Sequence, residues 1–257
     1  MYQYLNLGLN ISIPMYNLMI GIGIIFGIIF LDHENKKLKI KHNLEIDIYI
    51  GLIIAIIFSI LGAKVFHIFY NRQNITINNI INSGMTFYGG LIFGIIIFCI
   101  FQICRKNQLL YMLNISIPSI ILGHAFGRIG CFFGGCCFGK QTNSFIGVTF
   151  PKDSIPYNFY EGYANIFPTQ LLESITLFIL FIIIIKFVKY NFQLSTYFIF
   201  YGLFRFFIEF LRNDERGYLF TNIFSPSQII SIIFFFLGII LLITPKIKKG
   251  YIENRDN

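Results

Sequence analysis

Charged residues are scarce in this sequence, and so are the features that divide a chain into domains. Asp, Glu, Lys and Arg make up 12% of the 257 residues, against about 25% in soluble domains. No low-complexity tail, linker or internal repeat interrupts the chain. The composition therefore excludes an ordinary soluble domain, and we expect one domain over residues 1–257.

A motif for binding nucleic acid is also missing, although the net charge is +8. The lysines and arginines cluster beside apolar runs, where such residues record membrane topology and contact anionic lipid. No basic stretch is interleaved with aromatic residues in the manner of RNA- and DNA-binding motifs. We expect membrane lipids as partners and no nucleic acid.

Long apolar runs dominate the rest of the chain, which is 56% hydrophobic. A helix needs roughly 20 mostly apolar residues to cross a bilayer core of about 30 Å. The first run lacks the basic start and small-residue cleavage site of a signal peptide, so it counts as a span. We expect an all-α integral membrane protein with about seven transmembrane helices in one polytopic domain. The predicted spans are 14–31, 46–69, 85–103, 109–126, 167–188, 194–211 and 225–244.

The basic residues between the spans predict the orientation in the membrane. Seven spans put the termini on opposite sides, and cytoplasmic loops carry the excess of Lys and Arg. Twelve basic residues fall on the side of the C-terminus, namely Lys36, Lys37, Lys39, Lys41, Arg105, Lys106, Lys186, Lys189, Lys246, Lys248, Lys249 and Arg255. The other side has six, namely Arg72, Arg128, Lys140, Lys152, Arg212 and Arg216. We expect an outer N-terminus, a cytoplasmic C-terminus and an outer loop over 140–166.

Two arginines inside apolar segments are the strongest sign of function. Arg128 and Arg205 each carry a charge that costs at least about 2.5–3.5 kcal/mol at membrane depth, so such residues mark functional sites. Tyr201, Arg205, Glu209 and Arg212 are spaced by four, four and three residues and share one helix face. The alternative is an Arg205–Glu209 pair that only neutralises itself inside the helix bundle.

The segment HAFGRIGCFFGGCCFGK, residues 124–140, surrounds Arg128 with glycines. Their density predicts that the helix ends near residue 127 and that a glycine-rich loop lines an outward-facing cavity. Glycine lets backbone amides approach a ligand, and a guanidinium binds phosphate in a bidentate fork. We therefore expect a pocket for an anionic headgroup. The alternative is close helix packing through small residues.

Other polar residues in apolar surroundings are weaker candidates. Gly89-Gly90 can open the third span and let Tyr88 face the cavity, and Tyr16 in the first span is a similar phenol. Lys64 is a possible third cation or a partner for a glutamate. In the segment PTQLLE, Gln170 and Glu173 can share a face, while Thr169 is either a helix cap or a cavity residue.

Three of the five cysteines, Cys131, Cys136 and Cys137, form a C-x4-C-C pattern in the glycine-rich segment. This spacing differs from the C-x2-C pattern of zinc sites, and no pair of histidines accompanies it. We therefore expect no metal. A redox pair between Cys131 and either neighbour is an alternative function for the segment, provided that it lies outside the cytoplasm.

Six motifs in order resemble the prolipoprotein diacylglyceryl transferase family over nearly the whole chain. They are IPMYNLMIGIG, FYGGLIFG, GRIGCFFGGCCFG, PTQLLE, YGLFRFFIEFLR and SPSQIIS, the last at residues 225–231. The family signature usually has asparagine and glutamate where this chain has Cys131 and Cys136. The histidine of its histidine–glycine–glycine motif is Tyr88 here. These departures form a recurring variant of the family and leave the general base open.

The resemblance implies a multi-pass enzyme of the bacterial cytoplasmic (inner) membrane that acts in lipoprotein biosynthesis. It would transfer diacylglyceryl from phosphatidylglycerol to the lipobox cysteine thiol of an exported prolipoprotein, forming a thioether and releasing glycerol 1-phosphate. No cofactor is implied, and we expect a monomer whose partners are phosphatidylglycerol and the signal-peptide/lipobox segment. The implied catalytic residues are Arg128, Arg205, Glu209 and Tyr88. The implied substrate-binding residues are Tyr16, Gly89, Gly90, Gly127, Gly130, Cys131, Gly139, Gln170, Tyr201 and Arg212.

Three alternatives stay open at this point. One is a membrane thiol–disulfide protein that uses Cys131, Cys136 and Cys137. Another is a lipid transporter on the same scaffold, and the third is a related transferase with a different donor or acceptor.

Overall fold

The described part of the chain is mostly helical. The computed structural model describes residues 4–6, 12–71, 74, 76–84, 86–213 and 224–243. The helices are α1 Met15–Lys37, α2 His42–Tyr70, α3 Ile77–Asn82, α4 Phe87–Cys104, α5 Leu109–Gly134, α6 Ile155–Phe159, α7 Thr169–Phe187, α8 Gln193–Ile208 and α9 Pro226–Ile243. The short strands β1 Tyr4–Asn6 and β2 Ser12–Pro14 pair antiparallel, as do β3 Val148–Thr149 and β4 Asn165–Ile166.

The predicted membrane architecture is confirmed. Within the described residues, six helices are long and apolar enough to cross a membrane, namely α1, α2, α5, α7, α8 with its flanking turns, and α9. Helix α4 is a shorter apolar helix. The protein is thus a multi-pass membrane protein with about seven spans. The basic tail with Lys246, Lys248, Lys249 and Arg255, like Arg72 and Arg216, lies outside the described residues.

The predicted end of the fourth span near residue 127 is wrong, because α5 continues to Gly134. In hydrocarbon every backbone group must find its partner within the protein, and a helix provides these partners even for glycine. Two glycines face α1: a Cβ on Gly130 would lie 3.1 Å from the Tyr16 carbonyl oxygen, and one on Gly134 would lie 3.7 Å from the Tyr16 ring. Most of the predicted glycine-rich loop is therefore helix that packs closely against its neighbour.

The described residues form two compact units, and the first consists of the described parts of Met1–Glu34 and Asn114–Lys246. Small residues let its helices approach each other closely. In α1, a Cβ on Gly23 would lie 2.8 Å from the Phe126 Cβ of α5. In α8, a Cβ on Gly202 would lie 2.8 Å from the Ser231 carbonyl oxygen of α9. These contacts bring α1 close to α5 and α8 close to α9.

The second unit is the described part of Asn35–Leu113, and its main contact joins α2 to α4. The expectation that Gly89-Gly90 opens the helix is wrong, since both are helical and pack on α2. A Cβ on Gly89 would lie 2.6 Å from the Gly62 carbonyl oxygen. Lys64 donates hydrogen bonds of 3.0 and 2.7 Å to the carbonyls of Ile80 and Ile81, so it anchors α3.

The segment 135–168 between α5 and α7 has a small core of its own. Phe138, Phe150 and Ile166 are buried together, and Phe132, Val148, Tyr160 and Ala164 pack around them. This core folds the predicted outer loop 140–166 into a compact cap of short elements. The cap connects the end of α5 to the start of α7, where the site residues lie.

Candidate active site

Arg128 and Glu173 form a buried ion pair between α5 and α7. Arg128 Nη2 lies 2.9 Å from Glu173 Oε1, and both side chains are buried. Neither charge would be tolerated alone in this interior, because an unpaired buried charge costs several kcal/mol. The pair therefore ties the arginine of the glycine-rich segment to the first turns of α7.

Aromatic residues of α8 complete the surroundings of Glu173. The Tyr201 hydroxyl donates a 2.8 Å hydrogen bond to Glu173 Oε1, and His124 Nε2 lies 3.8 Å from the same oxygen. His124 Nδ1 is 3.2 Å from the Tyr197 hydroxyl, and the Tyr197 and Tyr201 rings stack at 5.4 Å. Three helices thus converge on one carboxylate and hold it in a fixed position.

A second charged group surrounds Glu209 at the end of α8. Arg205 Nη2 lies 2.7 Å from Glu209 Oε2, as the four-residue spacing predicts, and 3.0 Å from Ser227 Oγ, to which it donates. Arg212 Nε lies 3.8 Å from Glu209 Oε2. Glu209 also accepts a 2.7 Å hydrogen bond from the Ser225 hydroxyl. Arg205 and Glu209 thus meet as predicted, but the predicted helix face does not extend to Arg212, because a 3₁₀ turn over Glu209–Leu211 replaces the last helical turn.

The two groups belong to one electrostatic cluster. Tyr201, which binds Glu173, lies one helical turn before Arg205, and Arg205 also interacts electrostatically with Glu173. The three arginines and two glutamates carry one excess positive charge. Two buried guanidinium nitrogens, Arg128 Nε and Arg205 Nη1, have no hydrogen-bond partner among the described residues. A buried cluster with excess positive charge and unused donors suits an anion.

The start of α7 fixes the chain that follows α5. The Gln170 amide donates a 2.6 Å hydrogen bond to the Cys136 carbonyl, and the Thr169 hydroxyl donates a 2.7 Å bond to the Cys137 carbonyl. Thr169 is therefore not the helix cap, a position that Pro168 occupies without a side-chain hydrogen bond. Gln170, which we expected to bind substrate, holds the backbone beside the arginine cluster.

Gly139 is enclosed by backbone on two sides. Its amide donates a 3.1 Å hydrogen bond to the Phe167 carbonyl. A Cβ at this position would lie 2.5 Å from that oxygen and 2.9 Å from the Leu211 carbonyl oxygen. Only glycine fits here without a backbone shift, and its contacts hold the start of the cap against the cap's own end at Phe167 and against the 3₁₀ turn that follows α8.

The cysteines of the glycine-rich segment lie at the turn that leaves α5. Cys131, Cys136 and Cys137 are partly buried, and their three Sγ atoms lie within 4.8 Å of one another. Hydrogen bonds with the Cys131 and Cys136 thiols, aided by the positive charges of Arg212 and Arg128, lower the pKa of the Cys137 thiol below its usual range. Among the described residues, these three thiols form a group that is close enough together to hold a metal ion.

The remaining predicted residues have different surroundings. Tyr16 packs its half-exposed ring against Gly130 and Gly134 of α5. A Cβ on Gly127 would meet no atom within 4 Å, so space is open beside Arg128. Tyr88 lies in the first turn of α4, and its side chain is outside what the structure describes. The binding roles of these residues and of Gly89 and Gly90 stay predictions.

Several residues of the site were missed or undervalued in the sequence. Glu173 was noted for its spacing from Gln170 and as a possible partner of Lys64, and nothing in a single sequence pairs it with Arg128 on another helix. His124 and Tyr197 look like ordinary interior residues. Ser225 does carry a signal: Ser-Pro-Ser-Gln is a capping box with proline at the first helical position. Ser225 N donates to Gln228 Oε1 at 3.0 Å, and Gln228 N donates to Ser225 Oγ at 3.2 Å.

Comparison with known proteins identifies the family. Residues 3–244 match the family model described as prolipoprotein diacylglyceryl transferase. Three similar proteins, all named phosphatidylglycerol–prolipoprotein diacylglyceryl transferase, come from Clostridium tetani, Clostridium perfringens and Finegoldia magna. They are 35%, 33% and 32% identical to this chain, covering 93%, 93% and 96% of it and 96%, 93% and 96% of their own lengths. The chain therefore belongs to the prolipoprotein diacylglyceryl transferase family.

Proposed function

We propose that this protein transfers the diacylglyceryl group of phosphatidylglycerol to the thiol of a prolipoprotein lipobox cysteine. The products are a thioether-linked lipid and glycerol 1-phosphate. The observation that carries the proposal is the buried arginine cluster, whose excess positive charge and unused N–H groups match a phosphodiester. Family membership supplies the donor and the acceptor.

The chemistry requires stabilisation of negative charge at the phosphate. A carbon–sulfur bond forms, the bond from the same glyceryl carbon to a phosphate oxygen breaks, and the proton of the acceptor thiol passes to a phosphate oxygen or to Tyr88. The phosphate changes from a monoanionic diester to a monoester that carries more negative charge. Arg128 and Arg205 would hold this phosphate, because fixed cations are most useful where charge develops in the transition state.

The two glutamates act as positioning residues in this scheme. Glu173 orients Arg128 and Glu209 orients Arg205, so each guanidinium keeps its remaining N–H groups in a defined direction. Arg212 also lies beside Glu209 and adds positive charge to the cluster. The Tyr201 hydroxyl holds Glu173 in position, so Tyr201 contributes to substrate binding indirectly, through this contact.

The substrates also suggest the setting in which the protein works. Exported prolipoproteins carry their lipobox at the outer face of the bacterial cytoplasmic membrane, where the predicted orientation puts the cap 135–168. We infer a multi-pass protein of that membrane with an outer N-terminus and a cytoplasmic C-terminus, acting as a monomer. Tyr88, Gly89, Gly90 and Tyr16 are proposed to contact substrate.

The test is a transfer assay with defined substrates. Purified protein in vesicles containing phosphatidylglycerol is given a lipobox peptide, and mass spectrometry measures a diacylglyceryl-thioether mass increase. We expect the wild type to produce this increase and Arg205→Ala to lose it. Arg105→Ala is the matched control, because Arg105 pairs with Asp47 at 2.8 Å in the second unit and should be dispensable.

Two outcomes would count against the proposal. The first is no product from the wild type under conditions in which a known transferase modifies the same peptide. The second is normal product formation by Arg205→Ala, which would leave the arginine cluster without a catalytic role.

A further inference from the structure

Three cysteine side chains meet where α5 ends. The Sγ atoms of Cys131, Cys136 and Cys137 lie within 4.8 Å of one another. Zinc–sulfur bonds of about 2.3 Å at tetrahedral angles separate the sulfur atoms by about 3.8 Å. Small side-chain rotations would therefore bring all three sulfurs onto one ion. The C-x4-C-C spacing differs from the C-x2-C spacing that is usual in zinc sites, but the tight turn at the end of α5 still brings the three thiols together.

The backbone that assembles the thiols adopts an unusual conformation. Gly135 has φ +71° and Cys137 has φ +64°, both in the left-handed region. Glycine adopts this region easily, whereas other residues are strained in it. The turn brings the Cys136 amide within 3.2 Å of the Cys131 carbonyl oxygen, to which it donates. Position 137 thus has a cysteine although its backbone conformation favours glycine.

Contacts outside the turn hold the thiols in place. The Gln170 and Thr169 side chains bind the carbonyls of Cys136 and Cys137, so the loop does not need to order itself when a ligand binds. The charge balance is also favourable. Three thiolates and one divalent cation carry a net charge of −1, which suits a position one helical turn from Arg128.

We propose that Cys131, Cys136 and Cys137 bind one thiophilic divalent cation of the zinc type through their three sulfur atoms. Thiolate sulfur is the ligand that zinc and softer cations prefer. No His, Asp or Glu of the described residues joins the group, so a water molecule is the fourth ligand. Binding releases protons from the thiols, and it can be measured without the proposed transferase activity.

The test is a metal titration of the full-length protein in detergent. The protein is reduced, stripped with a chelator and titrated with Cd²⁺, whose thiolate complexes absorb in the ultraviolet. Competition with a chromogenic chelator then gives the Zn²⁺ affinity, and native mass spectrometry gives the stoichiometry. We expect one ion per chain, a charge-transfer band and proton release on binding.

Variants identify the ligands. Cys137→Gly should weaken Zn²⁺ binding at least about tenfold, because even changes around metal ligands cost 10–100-fold. It should not lower the unfolding temperature, because glycine suits the positive φ. Cys136→Ser should also weaken binding. The double variant Cys99→Ser/Cys104→Ser is the control, and its affinity should equal that of the wild type, since both cysteines belong to α4.

The proposal would be overturned by a reduced wild type that binds no stoichiometric ion. Equal affinity in the wild type and in folded Cys137→Gly would overturn it as well. Failure of the transfer assay leaves both measurements valid, so the two proposals can fail separately.

Discussion

Glu173 is in contact with site residues of two other helices, because its carboxylate pairs with Arg128, accepts a hydrogen bond from Tyr201 and lies 3.8 Å from His124. We expect Glu173→Gln to destabilise the protein by about 3–5 kcal/mol, because it leaves Arg128 as a buried charge without a counter-ion. The same change should reduce transfer activity, since Arg128 is no longer held in one orientation. Thermal unfolding in detergent and the peptide mass assay measure the two effects.

A double variant separates stability from activity. Arg128→Met/Glu173→Leu removes both charges and keeps apolar volume, a change that is often neutral or stabilising for a buried pair. We expect it to be more stable than Glu173→Gln but to have no transfer activity. Activity in the double variant would show that the Arg128–Glu173 pair is only structural.

Residue contacts were predictable where they lie within one helix. The spacing of Arg205 and Glu209 predicts their 2.7 Å ion pair, because residues four apart are neighbours on a helix. The partner of Arg128 was not predictable, since Glu173 lies on a different helix and pairing between helices depends on packing. Lys64 was misjudged for the same reason, because its acceptors are carbonyls of α3 that no side-chain pattern reveals.

At the scale of elements, the effects of alanine on stability can be compared at two glycines, Gly139, which is enclosed by backbone, and Gly127, which faces open space. Gly139→Ala should destabilise the protein by about 1–3 kcal/mol, because the new Cβ would overlap the carbonyl oxygens of Phe167 and Leu211. Gly127→Ala should leave stability unchanged or raise it by up to about 1 kcal/mol, because alanine favours the helix and meets open space there. Unfolding temperatures of the two variants test this.

The comparison also has a defined failure. Equal unfolding temperatures for Gly139→Ala and the wild type would mean that the backbone around Phe167 and Leu211 yields easily. The start of the cap would then be held less firmly against its own end and the 3₁₀ turn after α8 than these contacts indicate.

Helix α8 depends on a similar close approach. Gly202→Leu should separate α8 from α9, since even a Cβ would lie 2.8 Å from the Ser231 carbonyl oxygen. Arg205, one turn away, would then lose its 3.0 Å bond to Ser227. We expect lower stability and a loss of transfer activity, with Leu203→Ala, a change at an exposed neighbouring side chain, as the control. Full activity in folded Gly202→Leu would contradict this reasoning.

The existence of the long apolar helices was predictable, whereas some of their ends and the short elements α3, α6 and β1–β4 were not. Apolar runs of about 20 residues predict spans because a bilayer demands them. Glycine density suggested an early end of α5, but the helix continues to Gly134 since its glycines pack against α1. Density alone does not distinguish a loop from a close helix contact. The 3₁₀ turn at Glu209 likewise has no sequence signal that we recognise.

At the scale of the whole molecule, the distribution of basic residues predicts the orientation in the membrane. Helix α7 joins the cap 135–168 to the turn that contains Lys189, so these two places lie at opposite ends of a membrane-spanning helix. The positive-inside rule predicts that Lys189 is cytoplasmic and that the cap lies outside. That orientation would present the arginine cluster to exported substrates.

Cysteine labelling in intact cells tests this orientation. Phe145 is 98% exposed in the cap and Lys189 is exposed beyond α7, so both accept a cysteine without loss of packing. A membrane-impermeant maleimide should label Phe145→Cys in intact cells and Lys189→Cys only after permeabilisation. Peptide mapping distinguishes these positions from the native cysteines, and the wild type gives the background. If Lys189→Cys alone were labelled in intact cells, the orientation would be the reverse of the predicted one. The cap and the site beside it would then lie on the side away from exported prolipoproteins.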